Sequence, residues 1–126
     1  MNKRFQDYIL SIEDFYRSEG VQIDPVPQVN VDYTHRDLLD PFVPTGNYNP
    51  ATNTITLFVK NRQLKDILRT FAHELVHHNQ HITNPETFLA VNKAGKLSEN
   101  AELSEIEADA YTRGNILFRK WTESQQ

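Results

Sequence analysis

The run Leu64-Lys65-Asp66-Ile67-Leu68-Arg69-Thr70-Phe71-Ala72-His73-Glu74-Leu75-Val76-His77-His78-Asn79-Gln80-His81 decides how this chain is read. Leu64, Ile67, Leu68, Phe71, Ala72, Leu75 and Val76 recur at three- and four-residue spacing, the pattern of an amphipathic helix. On a helical wheel beginning at Leu64 that apolar stripe is centred near roughly 30°, whereas His73 and His77 fall near roughly 180° and 220°. The two histidines therefore look away from the core. Their Cβ directions differ by only about 40°, so both imidazoles can reach one cation. Glu74 projects beside them, where a carboxylate can bond to a cation's water without ligating the cation itself. The segment thus has the spacing by which one helix holds a metal and carries a general base.

Two further histidines on the same helix read differently. His78 returns to the edge of the apolar stripe and is expected to pack there or to lie at its rim. His81 lies one turn beyond His77, and a third ligand on one straight helix would sit about 6 Å further along the axis. No glycine occurs between His73 and His81 to break the helix and bring that side chain back.

A catalytic zinc normally takes three protein ligands and keeps a position open for water, so another segment must supply the third. The run Glu99 to Ala110 is the source the chain offers. Leu103, Ile106, Ala110, Leu117 and Trp121 form the apolar stripe of a second long helix, with Ser98 placed to cap its start. Glu105 and Asp109 are four apart and share a face beside that stripe. Glu107 points about 160° away from Asp109, which keeps those two from serving one site together. Glu105 is the expected third ligand, with Glu102 and Glu107 as alternatives.

These residues resemble the gluzincin metallopeptidases, in which a glutamate on a second helix completes the zinc site. The likeness is closest to small gluzincins and the HtpX-type peptidases, whose second helix carries Glu-x-x-Ala-Asp. Glu105-Ile106-Glu107-Ala108-Asp109 matches that pattern, and the resemblance spans roughly Thr54 to Phe118. It implies that Zn2+ is held by His73, His77 and Glu105, that Glu74 is the general base, and that Asp109 orients a zinc-bound histidine by accepting its far ring N–H. The same segment also resembles metallopeptidase domains that cleave phage repressors. Those imply the same metal site but a specific regulatory protein as substrate. A non-catalytic zinc-binding module within a larger assembly is a third reading.

Composition limits the alternatives. The chain has 126 residues and no repeat, and reads as a single minimal domain over 1–126. The absence of cysteine excludes disulfides and thiolate metal sites and suits a reducing, cytoplasmic setting. A net charge of −4 without a basic run argues against nucleic-acid binding through phosphates. No apolar run approaches the about 20 residues needed to span a membrane. A peptide or protein substrate is the expected partner, and oligomeric state is left open.

The remaining segments outline the fold. Phe5, Tyr8, Ile9, Ile12, Phe15 and Tyr16 lie on one helical face, and Gly20 is placed to end that helix. Pro25, Pro27, Pro41, Pro44 and Pro50 exclude long helices from the next segment. Val29 to Tyr33 alternates as a short strand, Asn47 to Asn53 reads as a turn, and Thr54 to Val59 is the best strand. Asn84-Pro85 and Ala94-Gly95 punctuate the connection between the two long helices, with a short helix fitting Glu86 to Asn92. The expected class is α+β: a zincin-like small domain with an N-terminal helix, a short antiparallel sheet with an edge strand, an active-site helix and a glutamate helix. The resemblance implies that Ile55, Thr56, Leu57, Phe58 and Val59 form that edge strand and bind extended substrate, since unpaired strand N–H and C=O groups recruit a peptide. An oxyanion donor is also needed, and Tyr33, His35, Tyr48, His81 and Arg113 are the residues able to provide one.

Overall fold

A computed structural model of the chain describes residues 2–35, 39, 43–94 and 101–126. Pro41, Gly95 and the expected cap Ser98 lie outside these residues, as do the side chains of Glu102 and Leu103. The described elements are α1 (Lys3–Ser18), β1 (Gln28–Asp32), β2 (Gly46–Asn49), β3 (Thr54–Phe58), α2 (Leu64–Thr83), α3 (Pro85–Ala94) and α4 (Ala101–Ser124), a mixed α+β fold.

Helix α1 starts where the Asn2 side chain accepts a hydrogen bond from the Phe5 backbone N–H at 2.8 Å, satisfying one of the amides a helix start leaves open. It buries Phe5, Ile9, Ile12 and Tyr16 at helical spacing and ends before Gly20, whose φ of +78° suits a residue without Cβ. The Tyr16 hydroxyl donates to the carbonyl of Ala72, which ties α1 to α2 one residue before the histidine motif.

The sheet corrects two expectations. Its order is β1-β3-β2, with β1 parallel and β2 antiparallel to β3, so it is mixed. The strand Thr54–Phe58 is central, with both backbone edges paired, and cannot be the edge strand that recruits a peptide. Its strong β character follows from that position, because Ile55 and Leu57 are fully buried on one face. The edge strand beside α2 is Gly46–Asn49, within a stretch whose polar residues read as a turn. Its side chains alternate between half-buried and exposed, so it carries no apolar signal of its own. Only the second part of that stretch turns the chain, with Asn53 at a φ of 50°.

Helix α2 packs on β2 and β3 and contributes Leu68, Phe71, Ala72, Leu75 and Val76 to the core. On its other side it packs along α4, which contributes Ala110, Leu117, Phe118 and Trp121 to the same core. The helices run antiparallel, since His73 lies against Gly114, His77 against Glu107 and Gln80 against Ile106. Gly114 marks the closest approach: a Cβ there would lie 3.1 Å from the Cα of His73. At Gly46 the edge strand presses on α2 in the same way, because a Cβ would meet Thr70 Cγ2 at 2.5 Å. Among the described residues no helix is long and apolar enough to cross a membrane.

Candidate metal centre

The histidine motif lies where α2 faces both α4 and the edge strand β2. His73, Glu74 and His77 offer three ligand atoms within 4.8 Å of one another, a group that could hold a metal ion. The two imidazoles meet edge to face with centroids 4.9 Å apart, and His73 Nε2 lies 4.0 Å from a Glu74 carboxylate oxygen.

The acid that α4 brings beside His77 is Glu107, while the ligand atoms that converge among the described residues are those of His73, Glu74 and His77. Glu107 Oε1 sits 2.6 Å from Nε2 of His77. Glu105, the expected ligand, is exposed and lines a separate depression with Asn79, Gln80, Asp109 and Arg113. The reason is helical phase. Glu107 is seven residues before Gly114, so the two directions differ by only about 20°, and Gly114 is where α4 presses on the His73 backbone. Glu105 is about 160° from Glu107 on the same wheel and therefore faces elsewhere.

Asp109 also differs from expectation. It does not accept from a histidine. The far ring nitrogen of His77, Nδ1, is 2.8 Å from Gln80 Oε1, and the Gln80 amide donates to Asp109 Oδ2 at 2.8 Å and to the Ile106 carbonyl at 2.9 Å. Arg113 grips Asp109 through Nε at 2.7 Å and Nη2 at 2.6 Å, holding its carboxyl below the usual range. Asp109 thus stands behind Gln80. Once it need not touch the ring, Asp109 and Glu107 can occupy different faces of α4 without conflict.

The electrostatics follow from burial and these pairs. Burial pushes the Glu74 carboxyl up to about 7, with His77 opposing and Glu107 adding to the rise. Burial alone would lower His77, but its bond to Glu107 and the nearby Glu74 outweigh that and raise it. The same bond to His77 lowers Glu107 against its own burial. His73 is lowered by burial and by His77, opposed by Glu107 and by a hydrogen bond with the Ala110 backbone.

A cleft opens on both sides of Glu74. One lobe, about 200 Å3, is lined by Gly46, Asn47, Tyr48, His77, Phe88 and Ile106 among others. A second, about 570 Å3, reaches Thr45, Thr70, His73, Glu107 and Tyr111. The rim strand is therefore β2 and not Ile55 to Val59. Because Phe58 N–H donates to Thr45 O, the alternation of an antiparallel ladder turns the backbone groups of Gly46 and Tyr48 outward.

Of the five candidate oxyanion donors, only Tyr48 lines this cleft. Its hydroxyl is engaged with His78 Nδ1 at 2.9 Å and His81 Nδ1 at 2.8 Å. Arg113 is held by Asp109, and Tyr33 lines a different depression with Phe5 and Val59. His35 is exposed and does not line the cleft. Tyr111, which the sequence reading does not single out, meets His73 with centroids 4.6 Å apart and the rings tilted by 53°. It lies four residues after Glu107, so the correct phase of α4 would have found both. Comparisons of the chain with family models, with curated proteins and with solved structures find no match.

Proposed function

We propose that this chain is a zinc-dependent metallopeptidase of zincin-like build that hydrolyses peptide bonds in extended polypeptide. The carboxylate that a second helix directs onto His77 carries the reading: Glu107 meets the motif at 2.6 Å. Two imidazoles and one carboxylate form the ligand set of catalytic zinc sites that keep a position open for water. His73, His77 and Glu107 are the assigned ligands. When bound, zinc would supply Lewis acidity that acidifies water and polarises a carbonyl.

The chain's own groups supply the rest. Glu74, buried between the two cleft lobes, takes the proton of the attacking water and delivers it to the leaving amine. The outward N–H and C=O groups of Gly46 and Tyr48 offer an edge on which an extended peptide can add as a strand. That pairing favours polypeptide over a compact small molecule.

The test is metal content together with peptide-library cleavage, measured on the wild type and on Glu74→Gln. Stoichiometric zinc in both, with cleavage by the wild type alone, is the expected result. Zinc-loaded wild type that cuts no peptide would leave a binding module, and wild type without zinc would overturn the metal site.

A further inference from the structure

We propose that Gln80 is the positioning residue of this centre: it fixes which nitrogen of His77 faces the cation, and its own orientation is dictated by α4. The inference rests on the metal reading above and deepens it.

A glutamine amide can turn over, exchanging its oxygen and nitrogen, and such a residue holds a neighbour's tautomer only if it is itself held. Both N–H groups of Gln80 have acceptors, the Asp109 carboxylate at 2.8 Å and the Ile106 carbonyl at 2.9 Å. Neither acceptor can donate. Arg113 donates to both oxygens of Asp109, which therefore act as acceptors. Turning the amide over would set its oxygen against two acceptors, so Oε1 must face His77, 2.8 Å from Nδ1. An oxygen there accepts, so Nδ1 must carry the hydrogen. That leaves Nε2, which donates to Glu107 in the metal-free protein, as the nitrogen that gives up its hydrogen to take a cation. The order runs Arg113, Asp109, Gln80, His77, and it carries a constraint from α4 to the ligand on α2. The depression containing Asp109 and Arg113 is in this account a support for the metal site and not a second site.

The test compares zinc affinity, by competition with a chromophoric chelator, in wild type, Gln80→Ala, Asp109→Asn and Glu105→Gln. Loss of an outer hydrogen bond to a metal-bound histidine costs about 10- to 100-fold in affinity, and Gln80→Ala should lose that much. Asp109→Asn lets the amide turn over and should lose part of it. Glu105→Gln should bind as wild type does. A second measurement on wild type keeps the proposal exposed should a variant fail to fold: long-range 15N spectra of the zinc-loaded protein must show His77 bound through Nε2 with the hydrogen on Nδ1. Binding through Nδ1, or equal affinity in wild type and Gln80→Ala, overturns the role of Gln80 and leaves the metal site intact. Wild type that binds no zinc overturns both.

Discussion

His77 and His78 are neighbours on one helix, both buried, and their surroundings could hardly differ more. His78 Nε2 donates to the carbonyls of Ile23 and Pro25 at 3.0 and 2.8 Å, and its Nδ1 is hydrogen-bonded with the Tyr48 hydroxyl at 2.9 Å. Every partner is neutral, and both ring nitrogens are used within the fold. His77 faces a carboxylate through one nitrogen and an amide oxygen through the other. Adjacent helical positions point about 100° apart, so one looks to the α1–β1 connection and the other to the cleft. A buried imidazole among neutral acceptors is structural, whereas one aimed at a carboxylate in a cleft is suited to a cation.

The contrast can be broken most forcefully at Glu74, which belongs wholly to the cleft. Glu74→Gln should lower peptide cleavage by roughly 10²- to 10⁴-fold, the range for a lost general acid–base group, while zinc stays bound. Next comes the substrate edge. In a cleaved peptide, N-methylation at single positions should weaken kcat/KM at alternate residues near the scissile bond, because only every second N–H reaches β2. Uniform tolerance of N-methyl groups would contradict docking as a strand.

On the structural side, His78→Ala removes the ring N–H that faces the carbonyls of Ile23 and Pro25. It should cost about 3 kcal/mol in urea unfolding of the metal-free protein, since each unsatisfied buried polar group costs about 1–3 kcal/mol. Zinc affinity should be unchanged. An equal loss of zinc in His78→Ala would blur the distinction between the two histidines.

Glu13 supplies a smaller, pH-dependent test. It is a buried carboxyl on α1, outside the cleft, pushed up from its ordinary 4.5 to about 7 by burial, with Arg17 opposing. Its neutral form is favoured by folding, so that stability is fully present below about pH 4.5 and is lost as pH rises through about 7. Glu13→Gln should therefore unfold like wild type at pH 4. At pH 8 it should be more stable by no more than about 3 kcal/mol, at 1.36 kcal/mol per pKa unit. A constant difference across that range would show that ionisation of Glu13 is not its source.

Much of this was legible in the sequence, and the failures share a cause. The α2 pattern fixed the helix, its buried stripe and the direction of His73, Glu74 and His77, because seven apolar residues define a phase without ambiguity. The α4 stripe is weaker, with small and polar residues at the contact, and the choice of Glu105 rests on the Glu-x-x-Ala-Asp resemblance, which also implies that Asp109 touches a histidine directly. The intervening Gln80 removes that link and moves the ligand assignment from Glu105 to Glu107. Gly114 was the overlooked signal, since a glycine inside a long helix marks where another backbone comes close. The edge strand was missed for the converse reason. Gly46–Asn49 buries too little to alternate in hydropathy, whereas the apolar central strand stands out in the sequence.

The most direct measurement is zinc affinity in three proteins: wild type, Glu107→Ala and Glu105→Ala. The two glutamates are two residues apart and on opposite faces of α4. Removing Glu107 should cost more than the about 10- to 100-fold expected of an outer hydrogen bond, while removing Glu105 should cost nothing measurable. Loss of zinc on removing Glu105 with Glu107 dispensable would contradict the site described here.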